Sequence, residues 1–218
     1  AEVKIRKFAA PAAPLRVAFV GRSGGGKSTL VGVMAAGDLD DGAGSARQAV
    51  FTHKHEMASG ETSSVATRLI GFGDGGHIVN HDGIGGATAT ATTSTGAGTG
   101  AGEAGGQYTL DRMERCAQSI TERSATLVTI LDLPGSDRRQ HSSLGALLGR
   151  MPHAFCLVAD LRRPMAAQLD SDTARCAALG RPLFVVLTMQ DCVGPLAVSA
   201  AVAAVATAVE HHFASRRV

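Results

Sequence analysis

The chain has 218 residues, a net charge of +2, one Tyr and no Trp. At that length a single core with an insertion is expected, and so mild a charge with so few aromatics argues against a basic nucleic-acid surface or a base-stacking platform. The four cysteines, Cys116, Cys156, Cys176 and Cys192, lack any C-x-x-C spacing and read as reduced thiols of an intracellular protein.

Residues 1–14 open the chain with the alternating Val3-Lys4-Ile5-Arg6-Lys7, a short strand by pattern, followed by Ala9-Ala10-Pro11-Ala12-Ala13-Pro14, a linker. The start is no signal peptide, and the missing Met reads as excision from something larger. No apolar run is read as membrane-spanning, so the expected setting is cytoplasmic, with no membrane partner.

Leu15–Val20 is apolar and rich in β-branched residues, the pattern of a buried strand. Gly21-Arg22-Ser23-Gly24-Gly25-Gly26-Lys27-Ser28 follows as a complete G-x-x-x-x-G-K-S loop, and Thr29, Leu30, Val31, Val33 and Met34 continue as a helix. The glycines let backbone N–H groups turn inward around a polyphosphate, while the helix N-terminus presents its positive dipole end to the anion. Lys27 is placed to reach β- and γ-phosphates and Ser28 to ligate Mg²⁺. Thr29 completes the binding segment.

Further along, Gly60-Glu61-Thr62-Ser63-Ser64 is a loop whose Thr62 hydroxyl suits a second metal position in a switch segment. Val65 to Phe72 reads as an edge strand. From about 83 to 106 the composition collapses to Gly, Ala and Thr, which predicts a disordered insertion. Leu110, Met113, Cys116 and Ile120 have helical spacing, and Leu127–Leu131 is the next strand.

That strand runs into Asp132-Leu133-Pro134-Gly135, a D-x-x-G. After a phosphate loop, its Asp acts on the metal through water and its Gly N–H senses a γ-phosphate. Strand Ala154–Ala159, helix Met165 to Leu179, strand Leu183–Leu187 and helix Pro195 to Phe213 complete the alternation. The fold class is therefore α/β: a P-loop three-layer α/β/α sandwich with a mainly parallel sheet, occupying 15–218. Thr188-Met189-Gln190-Asp191 ends the strand Leu183–Leu187 where guanine-binding proteins carry N-K-x-D or T-K-x-D. Asp191 is placed for the guanine edge, and Met189 stands in the Lys position.

Other polar groups take structural readings. His53 and His55 do not share a helix face and lack a ligand array. His211-His212 and the pairs Arg138-Arg139, Arg162-Arg163 and Arg216-Arg217 read as solvated faces. Ser136, Asp137 and His141 lack the geometry of a nucleophile elbow.

Over nearly its whole length the chain resembles the GTP-binding protein 1 and 2 group, translational-type GTPases related to elongation factors Tu and 1-alpha. The resemblance rests on Glu2-Val3-Lys4-Ile5-Arg6-Lys7, Gly37-Asp38-Leu39-Asp40-Asp41-Gly42, His53-Lys54-His55-Glu56, Ser59-Gly60-Glu61-Thr62-Ser63-Ser64 and Ile70-Gly71-Phe72, at fitting distances from the phosphate loop. It implies a domain that binds GTP and GDP with Mg²⁺, followed by β-barrel domains and acting around ribosomes, tRNA or mRNA turnover. Gly24 stands where the group usually has an Asp linked to monovalent-cation binding, Glu61 where it has Arg, and Ser136 where it has the water-positioning His. His141, five residues beyond Ser136, is the other imidazole in this stretch. Three readings follow: a slow or partner-dependent GTPase in which Lys27, Thr62, Gly135 and Ser136 serve catalysis; a pseudo-GTPase interaction module; and an ATP-using enzyme in which Asp191 is incidental.

Overall fold

The computed structural model describes residues 14–48, 50, 51, 53–81 and 117–214. The expected strand at 3–7, most of the linker, the insertion at about 83–106 and the helical spacing through Cys116 lie outside the described residues.

Five strands form one sheet: β1 (Leu15–Val20), β2 (Ala66–Phe72), β3 (Thr126–Asp132), β4 (Ala154–Asp160) and β5 (Leu183–Thr188), in the order β2-β3-β1-β4-β5. β1 lies parallel to β3 and β4, and β5 continues parallel to β4. β2 closes the opposite edge antiparallel to β3, from Ala66↔Asp132 to Phe72↔Thr126. The mainly parallel sheet and the edge position of β2 are those the sequence predicts, and the structure adds that this edge runs antiparallel.

Strand periodicity explains why both faces are covered. Val17 and Phe19 of β1 join Ile130, Cys156 and Val158 in one apolar cluster with Val31, while Ala18 and Val20 join Leu131, Phe155 and Leu157 in another. The helix α1 (Lys27–Ala36) packs on the first face, followed by the short helices α2 (Ser45–Gln48) and α3 (Lys54–Ser59). Helical turns over 117–123 form α4. The second face is covered by α5 (Gln140–Arg150), α6 (Met165–Ala178) and α7 (Pro195–Ala214), which contribute Leu147, Leu169 and Cys176, and Ala204 with Val205. Enclosing a side chain such as Phe155 contributes about 2 kcal/mol, and burial pushes the Cys156 and Cys176 thiols up to about 12.

α7 corrects one expectation. Its Pro195–Phe213 stretch is 19 residues with mean hydropathy 1.4, long and apolar enough to cross a membrane by length and composition. The run is built from Ala and Val with no charge before Glu210, so its modest apolarity accumulates over length rather than standing out locally. One side packs on the core through Ala204, Val205, Ala208 and Phe213, whereas Leu196 and Val202 are exposed.

The topology sets up a site. β1 runs directly into the loop at Gly21, and β3, β4 and β5 end on Asp132, Asp160 and Thr188. Phe19 is in register with Asp132, and Asp160 with Thr188. Polar residues at the carboxyl ends of parallel strands face a crevice where such folds bind ligands.

Candidate nucleotide site

The loop from Gly21 to Gly26 turns through left-handed backbone at Gly24 (φ 76°) and Gly26 (φ 89°), and α1 starts on the next residue. Lys27 is buried and its Nζ donates to the Arg22 carbonyl at 2.9 Å. Burial pushes its pKa down; Asp132 and Asp172 oppose that shift, and Arg163 adds to it. Ser23 N–H donates to the Gly135 carbonyl at 3.0 Å, which ties the phosphate loop to the D-x-x-G turn. At Gly135 a Cβ would collide with Lys27 Nζ and stand 2.5 Å from Ser23 N. Only glycine lets the two loops approach this closely.

Ser28, Thr62 and Asp132 meet beside Lys27. Ser28 Oγ lies 2.6 Å from Thr62 Oγ1 and donates to Asp132 Oδ2 at 2.6 Å. Asp132 is wholly buried, and its Oδ1 has no hydrogen-bond partner. Burial raises its carboxyl pKa above the ordinary value, against the Ser28 hydrogen bond and the charges of Lys27 and Arg68. Two hydroxyls and a carboxylate with an orphaned oxygen form a hard-oxygen donor set of the kind Mg²⁺ takes. Among the described residues no group of three His, Cys, Asp or Glu side chains could hold a metal. The His53 and His55 rings stack with centroids 5.3 Å apart, and His55 Nε2 pairs with Ser63 Oγ at 2.6 Å.

Two residues that sequence reasoning gave no role hold the Thr62 loop in place. Glu56 is buried, and its Oε1 accepts from Ser63 N at 2.6 Å, Ser63 Oγ at 2.7 Å and Ser64 N at 3.0 Å. Its Oε2 accepts from His53 N at 3.0 Å, an i, i+3 contact at the start of α3. That His53–Glu56 spacing is a capping-box signal readable in the chain. Arg139 donates from Nη1 to the Thr62 carbonyl at 3.0 Å. It is half-buried, not a solvated residue as its pairing with Arg138 suggested.

The other end of the crevice is more open. The Thr188 hydroxyl donates to the Gly25 carbonyl at 2.9 Å and lies 3.2 Å from the Ala159 carbonyl. It therefore stitches the end of β5 to the phosphate loop. Met189 follows at φ 61°, left-handed backbone that costs a non-glycine residue about 1 kcal/mol or more. The 3-10 turn Gln190–Cys192 then carries Asp191 on the exposed rim. Arg22 is exposed at the loop, and Thr29 is half-buried in the first turn of α1. Ser136 is half-buried beside Gly135, whereas the His141 side chain lies outside the described ones.

A phosphate loop between a central strand and its helix, flanked by an Asp-terminated parallel neighbour, defines a P-loop nucleotide-binding fold. Over 178 residues, 81% of the chain, it is 33% identical to GTP-binding protein 1 of Xenopus laevis. It is 30% identical over 177 residues to GTP-binding protein 2 of both Mus musculus and Homo sapiens. The chain is a relative of the GTP-binding protein 1 and 2 group, as its motifs predict. It spans 23% of the length of the first of these relatives and 24% of the others. Its fold is that seen in the crystal structure of the bacterial selenocysteine-specific elongation factor EF-Sec, with a TM-score of 0.56 at 16% identity, covering 91% of this chain and 24% of that one. No family model matches the chain.

Proposed function

We propose that residues 15–218 are the GTP-binding domain of a translation-factor-like GTPase that hydrolyses GTP to GDP and phosphate slowly, or only with a partner. The observation that carries this reading is the meeting of Ser28, Thr62 and Asp132 at 2.6 Å contacts beside the buried Lys27. Backbone N–H groups of Gly21, Arg22, Ser23, Gly24, Gly25 and Gly26 would cradle the phosphates, and Lys27 would bind the β- and γ-groups. Thr29 extends that cradle along α1. Ser28, Thr62 and Asp132 are the residues that would hold Mg²⁺, which when bound supplies positive charge against the phosphates. Thr188 shapes the base side, and Asp191 accepts from the guanine edge.

Hydrolysis in this reading is attack by water on the γ-phosphorus with release of GDP. Gly135 N–H senses the γ-phosphate, and Ser136 hydrogen-bonds the water without sharing a proton near neutral pH as an imidazole does. Loss of a water-positioning side chain costs about 100-fold or more in rate. The partners we propose are the ribosome, tRNA or the mRNA-turnover machinery, engaged through domains outside this chain in a cytoplasmic setting. Multiple-turnover phosphate release with and without ribosomes tests this; we expect stimulation, and its complete absence would sink the hydrolytic half.

A second reading, a pseudo-GTPase interaction module, is favoured by Gly24, Glu61, Ser136 and Met189 together, and by Arg139 occupying the Thr62 carbonyl. Ser136→His separates the two. A large gain in turnover supports a GTPase whose machinery is otherwise intact, and no gain supports the module.

A further inference from the structure

Arg162 and Arg163 follow β4 and read from sequence as a solvated pair, yet both converge on one buried carboxylate. Asp160 is wholly buried at the end of β4. Arg162 serves both of its oxygens, with Nε 3.0 Å from Oδ1 and Nη2 2.9 Å from Oδ2. That pairing holds the Asp160 carboxyl below the usual carboxylate range. Arg163 joins through Nε at 3.5 Å from Oδ2, and its backbone N–H donates to the Asp160 carbonyl at 3.1 Å. The turn is thus fixed at the backbone and at the side chain.

From this anchor Arg163 reaches across to the phosphate loop. Its Nη1 donates to the Ser23 carbonyl at 2.9 Å, and its Nη2 stands 3.0 Å from where a Cβ on Gly24 would be. A side chain at position 24 would press on the guanidinium. Glycine leaves it room.

We infer that Arg163 is a triphosphate-binding residue supplied by the chain itself, a guanidinium held at the phosphate loop by Asp160 and admitted there by Gly24. This rests on the GTP-binding reading above and adds to it a second cation beside Lys27. Asp160 is already paired in bidentate fashion by Arg162, so satisfying that carboxylate does not require Arg163. What the Arg163 reach adds is a charge at a loop built to surround an anion, on a side chain that is 43% exposed and so open to a ligand in the crevice. Arginine suits this task because its charge is permanent and its planar fork matches phosphate oxygens.

A contact that works through charge strengthens with ligand charge, so removing it should weaken GTP more than GDP. The test is equilibrium titration of fluorescent GTP and GDP, with Mg²⁺, on wild type, Arg163→Ala, Arg163→Gln and Arg163→Lys. The neutral variants should bind GTP about tenfold more weakly, the value of one charge-assisted hydrogen bond. GDP should suffer less, and Lys should fall between wild type and the neutral forms. Arg163→Gln keeps a polar aliphatic side chain at the turn while removing the charge, so it carries the test if Arg163→Ala misfolds. Neutral variants that bind both nucleotides like wild type overturn the inference. So does an equal loss for GTP and GDP, which is the signature of a staple between turn and loop. Wild type that binds no GTP would overturn the functional reading and this inference with it; wild-type binding with indifferent Arg163 variants overturns only the latter.

Discussion

The two ends of the crevice are built differently. At the phosphate end, Lys27 and Asp132 are buried, Ser28 and Thr62 are half-buried, and loops from distant parts of the chain are tied by the Ser23–Gly135, Ser28–Thr62 and Arg139–Thr62 hydrogen bonds. At the base end, Asp191 sits exposed on a one-turn 3-10 segment that begins from a left-handed Met189. Thr188 ties that end to the phosphate loop through its hydroxyl on the Gly25 carbonyl. An interaction in a desolvated, pre-ordered setting is worth more than the same interaction at a wet rim. Affinity should therefore reside at the phosphate end, with the base end deciding among nucleotides.

The most damaging change should be Gly135→Ala. Its methyl has no space between Lys27 Nζ and the backbone of Arg22 and Ser23. Overpacking of this kind predicts roughly 100-fold weaker GTP binding, measured by titration; unaltered affinity would mean that the D-x-x-G turn is not packed on the phosphate loop in solution.

Asp132→Asn probes the same end through pH. The folded carboxyl has its pKa raised by burial, so the folded state holds the proton more tightly than the unfolded chain. Stability of the nucleotide-free protein should fall as pH rises from the usual carboxylate value of about 4 through the raised one, and then level off. Asn carries no charge to bury, so the variant should melt higher than wild type at neutral pH and lose that advantage in acid. In return it should lose most of the Mg²⁺ dependence of GTP binding, about tenfold in affinity. A variant less stable at neutral pH with its Mg²⁺ response intact would contradict both halves.

Arg139→Ala removes one half-buried hydrogen bond to the Thr62 carbonyl. The expected result is about fivefold faster GTP release with GDP release unchanged, by stopped-flow displacement. Equal effects on both nucleotides would show that Arg139 does not act through the Thr62 loop. The smallest effect is expected at the base end. Met189→Lys should tighten GTP and GDP alike by about threefold, since it changes one packing contact on an exposed rim.

How much of this could be read from the chain depends on the range of the interaction. β1, the loop and α1 are local: an apolar β-branched run, a glycine cluster and an apolar helix follow one another, and the strand expected at Leu15–Val20 is the strand observed. The D-x-x-G and the Thr188–Asp191 turn are legible because each ends an apolar strand. Arg139 and Arg163 were not, because a basic pair looks the same whether solvated or anchored. Their acceptors are Thr62 and Ser23, 77 and 140 residues away in sequence, and only the sheet order brings them together. Glu56 lay between these cases, with a visible capping-box spacing and invisible contacts to Ser63 and Ser64. The helix expected from Pro195 to Phe213 is the helix observed; its apolar length escaped notice for a compositional reason, since alanine contributes little hydropathy per residue but adds up over a long uncharged helix.

The most direct test of the account is equilibrium titration with fluorescent GTP, GDP and ATP, with Mg²⁺, on wild type and Asp191→Ala. We expect wild type to prefer guanine nucleotides over ATP by about 100-fold or more, and Asp191→Ala to lose that preference while keeping phosphate-dependent binding. ATP bound as tightly as GTP, or no nucleotide bound at all, would contradict it.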